Sequence, residues 1–249
     1  MAVFRMEIAG QTVQVRSLFE STRDYCAPYL TDWAAEHFVE VTREDLAHRQ
    51  ELAFEEARQE GLRPRVFTDP FLERETVQAK VSASLLDRRV LLMHGSAVAV
   101  DGVGYLFTAP CRTGKSTHTR LWCSCFGDRA VMINDDKPFL RLDGDRVLIC
   151  GSPWSGKHGL QTNITVPLGG ICVLERGSEN RISRVQPEEV LPLLLHQGGA
   201  PEEEGLSGLY EDLVRELSGR VALWKMCCTK DPEAARVAYE AMSGAIGRE

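Results

Sequence analysis

The 249-residue sequence has no long apolar run. No stretch approaches the roughly 20 residues that a membrane-spanning helix needs. The opening MAVFRMEIAG holds no apolar segment long enough for an export signal. The expectation is a cytoplasmic protein without a membrane partner. A basic excess is missing too, since 29 Lys and Arg stand against 36 Asp and Glu, a net charge of −7. Binding along a nucleic-acid backbone needs a basic surface, so no nucleic-acid partner is expected. A local cationic site remains compatible with that balance. Metal-type cysteine spacing is a third absence. Eight cysteines occur, but none forms a C-x-x-C pair, and Cys123-x-Cys125 and the adjacent Cys227 and Cys228 are poor zinc spacings. They read as reduced thiols, mostly small buried hydrophobes. The sequence also has no internal repeat and no low-complexity segment.

What is present is an ordinary globular mix, 43% hydrophobic and 26% charged. The length suits one large domain, or a domain with an extension. Residues 1–89 read as an α+β accessory region. FRMEIAGQTVQVRSL alternates apolar and polar residues around a glycine-containing turn, the pattern of a β-hairpin, and HFVEV is a further strand. Thr42 opens a charged helix running to about Glu60, with Asp45 as its capping-box partner. A second helix starts with Asp69 as cap and Pro70 at its first position. Val77, Val81, Leu85 and Leu86 form its core-facing stripe. From residue 90 to 249 the texture is β-rich. Hairpins are expected around Asp101–Gly102 and Asp143–Gly144. AVMI and GGICVLER read as buried strands, and VALWKMCC as another. Helices are expected at Pro187 to Gln197, at Leu206 to Leu217 and after Asp231. The predicted class is mixed α/β, with hairpins that argue against a purely parallel sheet.

One stretch carries chemistry of its own. APCRTGKSTHTR follows the apolar strand GYLFT and leads into a helix that Gly127 stops. A phosphate loop needs backbone N–H groups turned inward, a lysine that reaches terminal phosphates, and a hydroxyl for Mg²⁺. Gly114, Lys115, Ser116 and Thr117 supply the second half of that set. The strand–loop–helix setting points a helix N-terminus at the anion. The first half, Ala109, Pro110, Cys111, Arg112 and Thr113, is unusual: Ala109 stands where glycine is usual, and Cys111 and Arg112 sit where small residues would be easier. At Arg112 two readings stand. A positive φ there would carry a steric cost of roughly 1–2 kcal/mol. Alternatively, its guanidinium adds a phosphate contact.

Nineteen residues after Ser116 come Asp135 and Asp136, at the end of AVMI. Carboxylates there suit Mg²⁺ coordination and proton abstraction. Adjacent residues of an extended strand face opposite ways, so one acid is expected nearer the metal and the other nearer an acceptor. His94 lies at the edge of the strand entering this region. Lys157 and His158, in GSPWSGKHG, sit on a glycine-rich loop where positive groups could hold a phosphate. His118 and Arg120 read as part of a solvated helix face.

HGSAVAVDG, APCRTGKST and INDD, in that order and spacing, resemble the catalytic domain of bacterial HPr kinase/phosphorylase. VMINDDKP, GSPWSGKHGL and TNITVPL extend the resemblance to related HPr-kinase-like proteins. It covers residues 90–185 specifically. It implies the mixed-sheet fold shared with phosphoenolpyruvate carboxykinase, with ATP and Mg²⁺ as nucleotide and metal. It further implies that Lys115 binds the terminal phosphates, that Ser116 binds Mg²⁺ with Asp136 close by, that Asp135 is the general base on an acceptor hydroxyl, and that His94 supports the site by hydrogen bonding. Thr117 stands where that family carries an acidic residue, and GSPWSGKHG replaces its HPr-binding segment. The expected acceptor is therefore a hydroxyl other than that of HPr, on a protein, a peptide or a small molecule. The alternative is a nucleotide-binding regulatory or adaptor module with little turnover.

Overall fold

The computed structural model describes residues 1–59, 61–203 and 205–244. The chain divides into two compact units, Met1–Leu85 and Leu86–Glu249.

In the first unit, β1 (Ala2–Ile8) and β2 (Gln11–Ser17) form the antiparallel hairpin that the alternation predicts. Ala9 and Gly10 both have positive φ, the sign pattern of a type I′ turn. Phe4, Met6, Ile8, Val13 and Val15 are buried on one face. After α1 (Glu20–Tyr25), β3 (His37–Glu40) joins β2 in parallel. Thr42 and Asp45 close the expected capping box at the start of α2 (Arg43–Gln59). The Thr42 N–H donates to Asp45 Oδ2 at 2.7 Å, and the Asp45 N–H donates to Thr42 Oγ1 at 3.2 Å. Glu60, where the sequence reading ended this helix, lies outside the described residues. In α3 (Asp69–Ser84) the cap position is Thr68 rather than Asp69, so Pro70 is the second residue, one place from the expectation. Val77, Val81 and Leu85 are fully buried. Leu86 belongs instead to a core cluster of the second unit.

The second unit runs β4 (Val90–Leu92), β5 (Ser96–Val100), β6 (Val103–Thr108), α4 (Lys115–Phe126), β7 (Ala130–Asn134), β8 (Phe139–Asp143), β9 (Arg146–Cys150), β10 (Thr165–Arg176), β11 (Arg181–Arg184), α5 (Pro187–Gln197), α6 (Ser207–Arg220), β12 (Leu223–Cys228) and α7 (Glu233–Ser243). The strand order is β4-β8-β9-β10-β6-β5-β7, with β12 also on β10 and β11 on β12. β10 is parallel to β6 and β12 and antiparallel to β9, so the unit is mixed α/β. Asp101 and Gly102 form the expected two-residue turn, with positive φ at both. The next hairpin turns one residue later than expected. Asp143 pairs with Arg146, so its loop is Gly144–Asp145.

Both faces of the central strands are buried, which is why they read as unbroken apolar runs. Val98, Tyr105, Phe107, Cys172 and Leu174 share one cluster with Trp122 of α4 and Ala235 and Ala238 of α7. Ala97, Leu106, Ile171 and Val173 face the other way, towards Leu140, Ile149, Leu194 and Leu217. The period-2 alternation of a strand thus feeds two cores, and each large side chain so buried contributes about 1.5–3 kcal/mol. Gly104 marks where layers approach closely. A Cβ there would lie 2.3 Å from Ile149 Cγ2 and 3.1 Å from both Ile133 Cδ1 and Val166 Cγ2. Among the described residues no helix is long and apolar enough to cross a membrane.

Gly104→Ala is expected to cost about 1–3 kcal/mol through overpacking. Urea denaturation should show this. Because the clash is with Ile149, the double variant with Ile149→Ala should fall by less than the sum of the two single changes.

Candidate functional site

β6 ends at buried Thr108, whose hydroxyl donates to the His94 carbonyl at 2.9 Å. The chain then enters a tight loop. Ala109 is fully buried. The Thr113 N–H and hydroxyl both donate to the Pro110 carbonyl, at 3.3 and 2.8 Å. Arg112 adopts φ 63° and Gly114 φ 125°. The first of the two readings of Arg112 therefore holds as far as its backbone goes, and its side chain is exposed. Lys115 Nζ donates back to the Ala109 carbonyl at 3.0 Å, closing the loop.

α4 begins at Lys115 with Gly114 at its cap position, no side-chain cap and no acidic residue in its first turn. The first N–H groups of a helix have no partner within it, and the helix dipole disfavours a lysine at that end. A bound anion would satisfy both. Burial lowers the Lys115 pKa below the ordinary 10.5, with Cys111 and Asp136 acting in the opposite direction. Ser116 and Thr117 complete the first turn, half-buried and exposed respectively.

The two carboxylates point to different surroundings. The Asp135 side chain is only 3% exposed and has Arg120 Nη2 at 3.7 Å from Oδ2. Its Oδ1 accepts from Ser96 Oγ at 2.7 Å, and that oxygen lies 2.6 Å from Thr119 Oγ1. Ser116, Thr119 and Arg120 are spaced i, i+3, i+4, so they share one face of α4. Asp136 is 29% exposed, with His94 Nε2 at 3.2 Å from its Oδ1. Burial works to raise its pKa, but the His94 hydrogen bond and the charges of Lys137, His94 and Lys115 outweigh it and hold the carboxyl below the ordinary 3.8. Lys115, Asp136 and His94 thus form one electrostatic group at the carboxyl end of β6.

Asn134 holds this turn in shape. Its Oδ1 accepts from the N–H groups of Asp136 and Lys137 at 2.8 and 2.7 Å. Its Nδ2 donates to the Ser152 carbonyl at 2.9 Å, and Ser152 Oγ donates to the Lys137 carbonyl at 2.6 Å. The 151–160 loop is therefore tied to the acidic turn. Gly156 runs so close to Asp136 that an added Cβ would sit 3.3 Å from Asp136 Cβ. Lys157 and His158 follow on the same short 3₁₀ turn, both exposed.

Sequence reasoning missed Asn134 and Ser152, and also Arg176, which reaches the loop from the end of β10. Arg176 Nε donates to the Thr113 carbonyl at 3.2 Å and Nη2 donates to the Arg112 carbonyl. It also mistook His118 for part of a solvated face, whereas Arg120 is exposed as that reading has it. His118 is 2% exposed, lies edge-on to Phe107 and accepts from Trp122 Nε1 at 3.1 Å. Arg120 is the partner of Asp135 just described.

No group of three or more His, Cys, Asp or Glu that could hold a metal occurs among the described residues. Mg²⁺ needs no such cage. It binds through one or two carboxylates together with substrate phosphates and water. The oxygen donors Ser116, Asp135 and Asp136 fit that chemistry.

No family model matches the chain, and no curated protein matches it. Among solved structures, the chain is similar to the HPr(Ser) kinase/phosphatase from Coxiella burnetii. The identity is 10% and the TM-score 0.37, over 63% of this chain and 99% of that one. At that distance the likeness speaks to no residue of the site.

Burial pushes the His118 pKa from 6.5 down to about 4, so the ring is neutral in the folded chain. An unfolded chain takes up the proton first. The stability held by this residue is complete above pH 6.5 and is lost as pH falls towards about 4, on the order of 3 kcal/mol. Denaturation at pH 6.5 and 4.5 should therefore show a smaller acid-induced loss for His118→Gln than for wild type.

Proposed function

We propose that this protein is an ATP- and Mg²⁺-dependent phosphotransferase that phosphorylates a hydroxyl. The kinase-like domain, expected from residue 90, is taken as the second unit from Leu86, with residues 1–85 an accessory region. One observation carries the reading: Lys115 and Ser116 open a helix behind a tight loop, and Lys115 interacts with Asp136, the carboxylate that reaches solvent.

In this reading residues 109–117 cradle the phosphates, and Lys115 neutralises the terminal ones. When bound, Mg²⁺ would offset the charge of the phosphates. Ser116 and one carboxylate would hold it. The resemblance to HPr kinase/phosphorylase gave the base role to Asp135 and the metal side to Asp136. The contacts favour the reverse. Asp135 lies on the Ser116 face of α4 with its two oxygens engaged by Ser96 and Arg120, which leaves it poorly placed to receive an acceptor's proton. Asp136 is open and kept ionised by His94 and Lys115. It can take the proton of an acceptor hydroxyl as the hydroxyl oxygen bonds to the γ-phosphorus, the bond from that phosphorus to the bridging oxygen breaks, and the nucleoside diphosphate departs. In this reading Lys157 and His158, on the turn that begins beside Asp136, would meet the acceptor.

The test uses γ-labelled ATP and Mg²⁺ with a fractionated bacterial extract. Wild type should transfer label to an acceptor, and Lys115→Ala should not. Asp136→Asn should lower transfer by at least about 100-fold while ATP still binds. Asp135→Asn should weaken the Mg²⁺-dependent part of ATP binding. Transfer that survives in Asp136→Asn but disappears in Asp135→Asn would return the base role to Asp135. Tight ATP binding without any transfer would favour the regulatory module.

A further inference from the structure

We propose that Arg176 is the positioning residue that holds the glycine-poor loop in phosphate-binding shape. This rests on the reading of residues 109–117 as a phosphate cradle. β10 lies parallel to β6 with Val173 beside Thr108, so its last three residues run on past the point where β6 becomes loop. Arg176 is the last of them. Its planar guanidinium donates through Nε to the Thr113 carbonyl and through Nη2 to the Arg112 carbonyl. A rigid fork on two consecutive carbonyls fixes the orientation of both peptide planes.

That constraint falls where the loop departs from the usual glycine-rich pattern. Arg112 holds φ 63°, a conformation that costs a non-glycine residue about 1–2 kcal/mol. Such strain persists only where the surroundings over-determine it. In a trans peptide the N–H points opposite to the C=O. With the carbonyls of Arg112 and Thr113 drawn onto Arg176, the next two N–H groups face away from it. That of Thr113 closes the turn on Pro110. That of Gly114 is directed away from Arg176, as a backbone donor to phosphate must be. A lysine could supply the charge of Arg176 but not two parallel donors on one plane.

The experiment titrates Mg·ATP and, separately, Mg·pyrophosphate by calorimetry into wild type, Arg176→Ala, Arg176→Lys and the double variant Arg112→Gly/Arg176→Ala. Thermal melting of each is recorded alongside. Both single variants should bind about tenfold more weakly, the loss of one charge-assisted contact, with the melting temperature little changed. In transfer assays the loss should appear in the nucleotide KM rather than in kcat. Arg112→Gly should recover part of the affinity lost in Arg176→Ala, because glycine adopts positive φ without the steric cost. Affinity in Arg176→Ala equal to wild type overturns the proposal. So does full rescue by lysine, or a double variant no tighter than Arg176→Ala. A wild type that binds neither probe overturns the phosphate-site reading itself, a result distinct from all of these.

Discussion

β6 and β10 lie parallel with Thr108 beside Val173, and this register decides what meets at the carboxyl end of the sheet. It brings the loop after β6 within reach of Arg176, and it requires a helix to return over the face that Tyr105 and Phe107 present. α4 answers that demand with Trp122, and its own first turn is thereby aimed at the sheet edge. Behind the site the backbone at Gly104 and the Ile149 side chain approach too closely to admit a Cβ. Parallel strands carry their ligands at this end for the same geometric reason.

The two neighbouring aspartates illustrate how position divides chemically identical groups. Asp135 is sealed by Ser96, Thr119 and Arg120, so its charge is balanced locally. Asp136, one residue on, meets His94 and the field of Lys115 and stays open to solvent. Asn134 makes the separation possible by capping the turn with its side-chain oxygen. Its amide then binds the loop that passes over Asp136, so acidic turn and loop form one piece.

Much of this was legible in the sequence because it is local. The capping box at Thr42, the type I′ turn at Asp101–Gly102 and the Gly-Lys-Ser start of α4 each depend on residues within a few positions. The turn after β8 was read one residue early because Asp-Gly and Gly-Asp overlap in LDGDR, and only the pairing of Asp143 with Arg146 selects the second. What the sequence hid is long-range. Arg176 meets Arg112 across 64 residues, and Ser152 meets Asn134 across 18. His118 looked solvated because its partner Phe107 comes from β6, and the pairing of exposed Arg120 with Asp135 was hidden because Asp135 follows β7.

The measurement that tests the central claim most directly is amide hydrogen exchange, with and without Mg·ATP, resolved along the chain. A phosphate cradle predicts slowed exchange in the peptides that span residues 109–118, where the backbone donors of the loop and of the first turn of α4 would be engaged. Unchanged exchange there under saturating nucleotide, or protection confined to other segments, would contradict it.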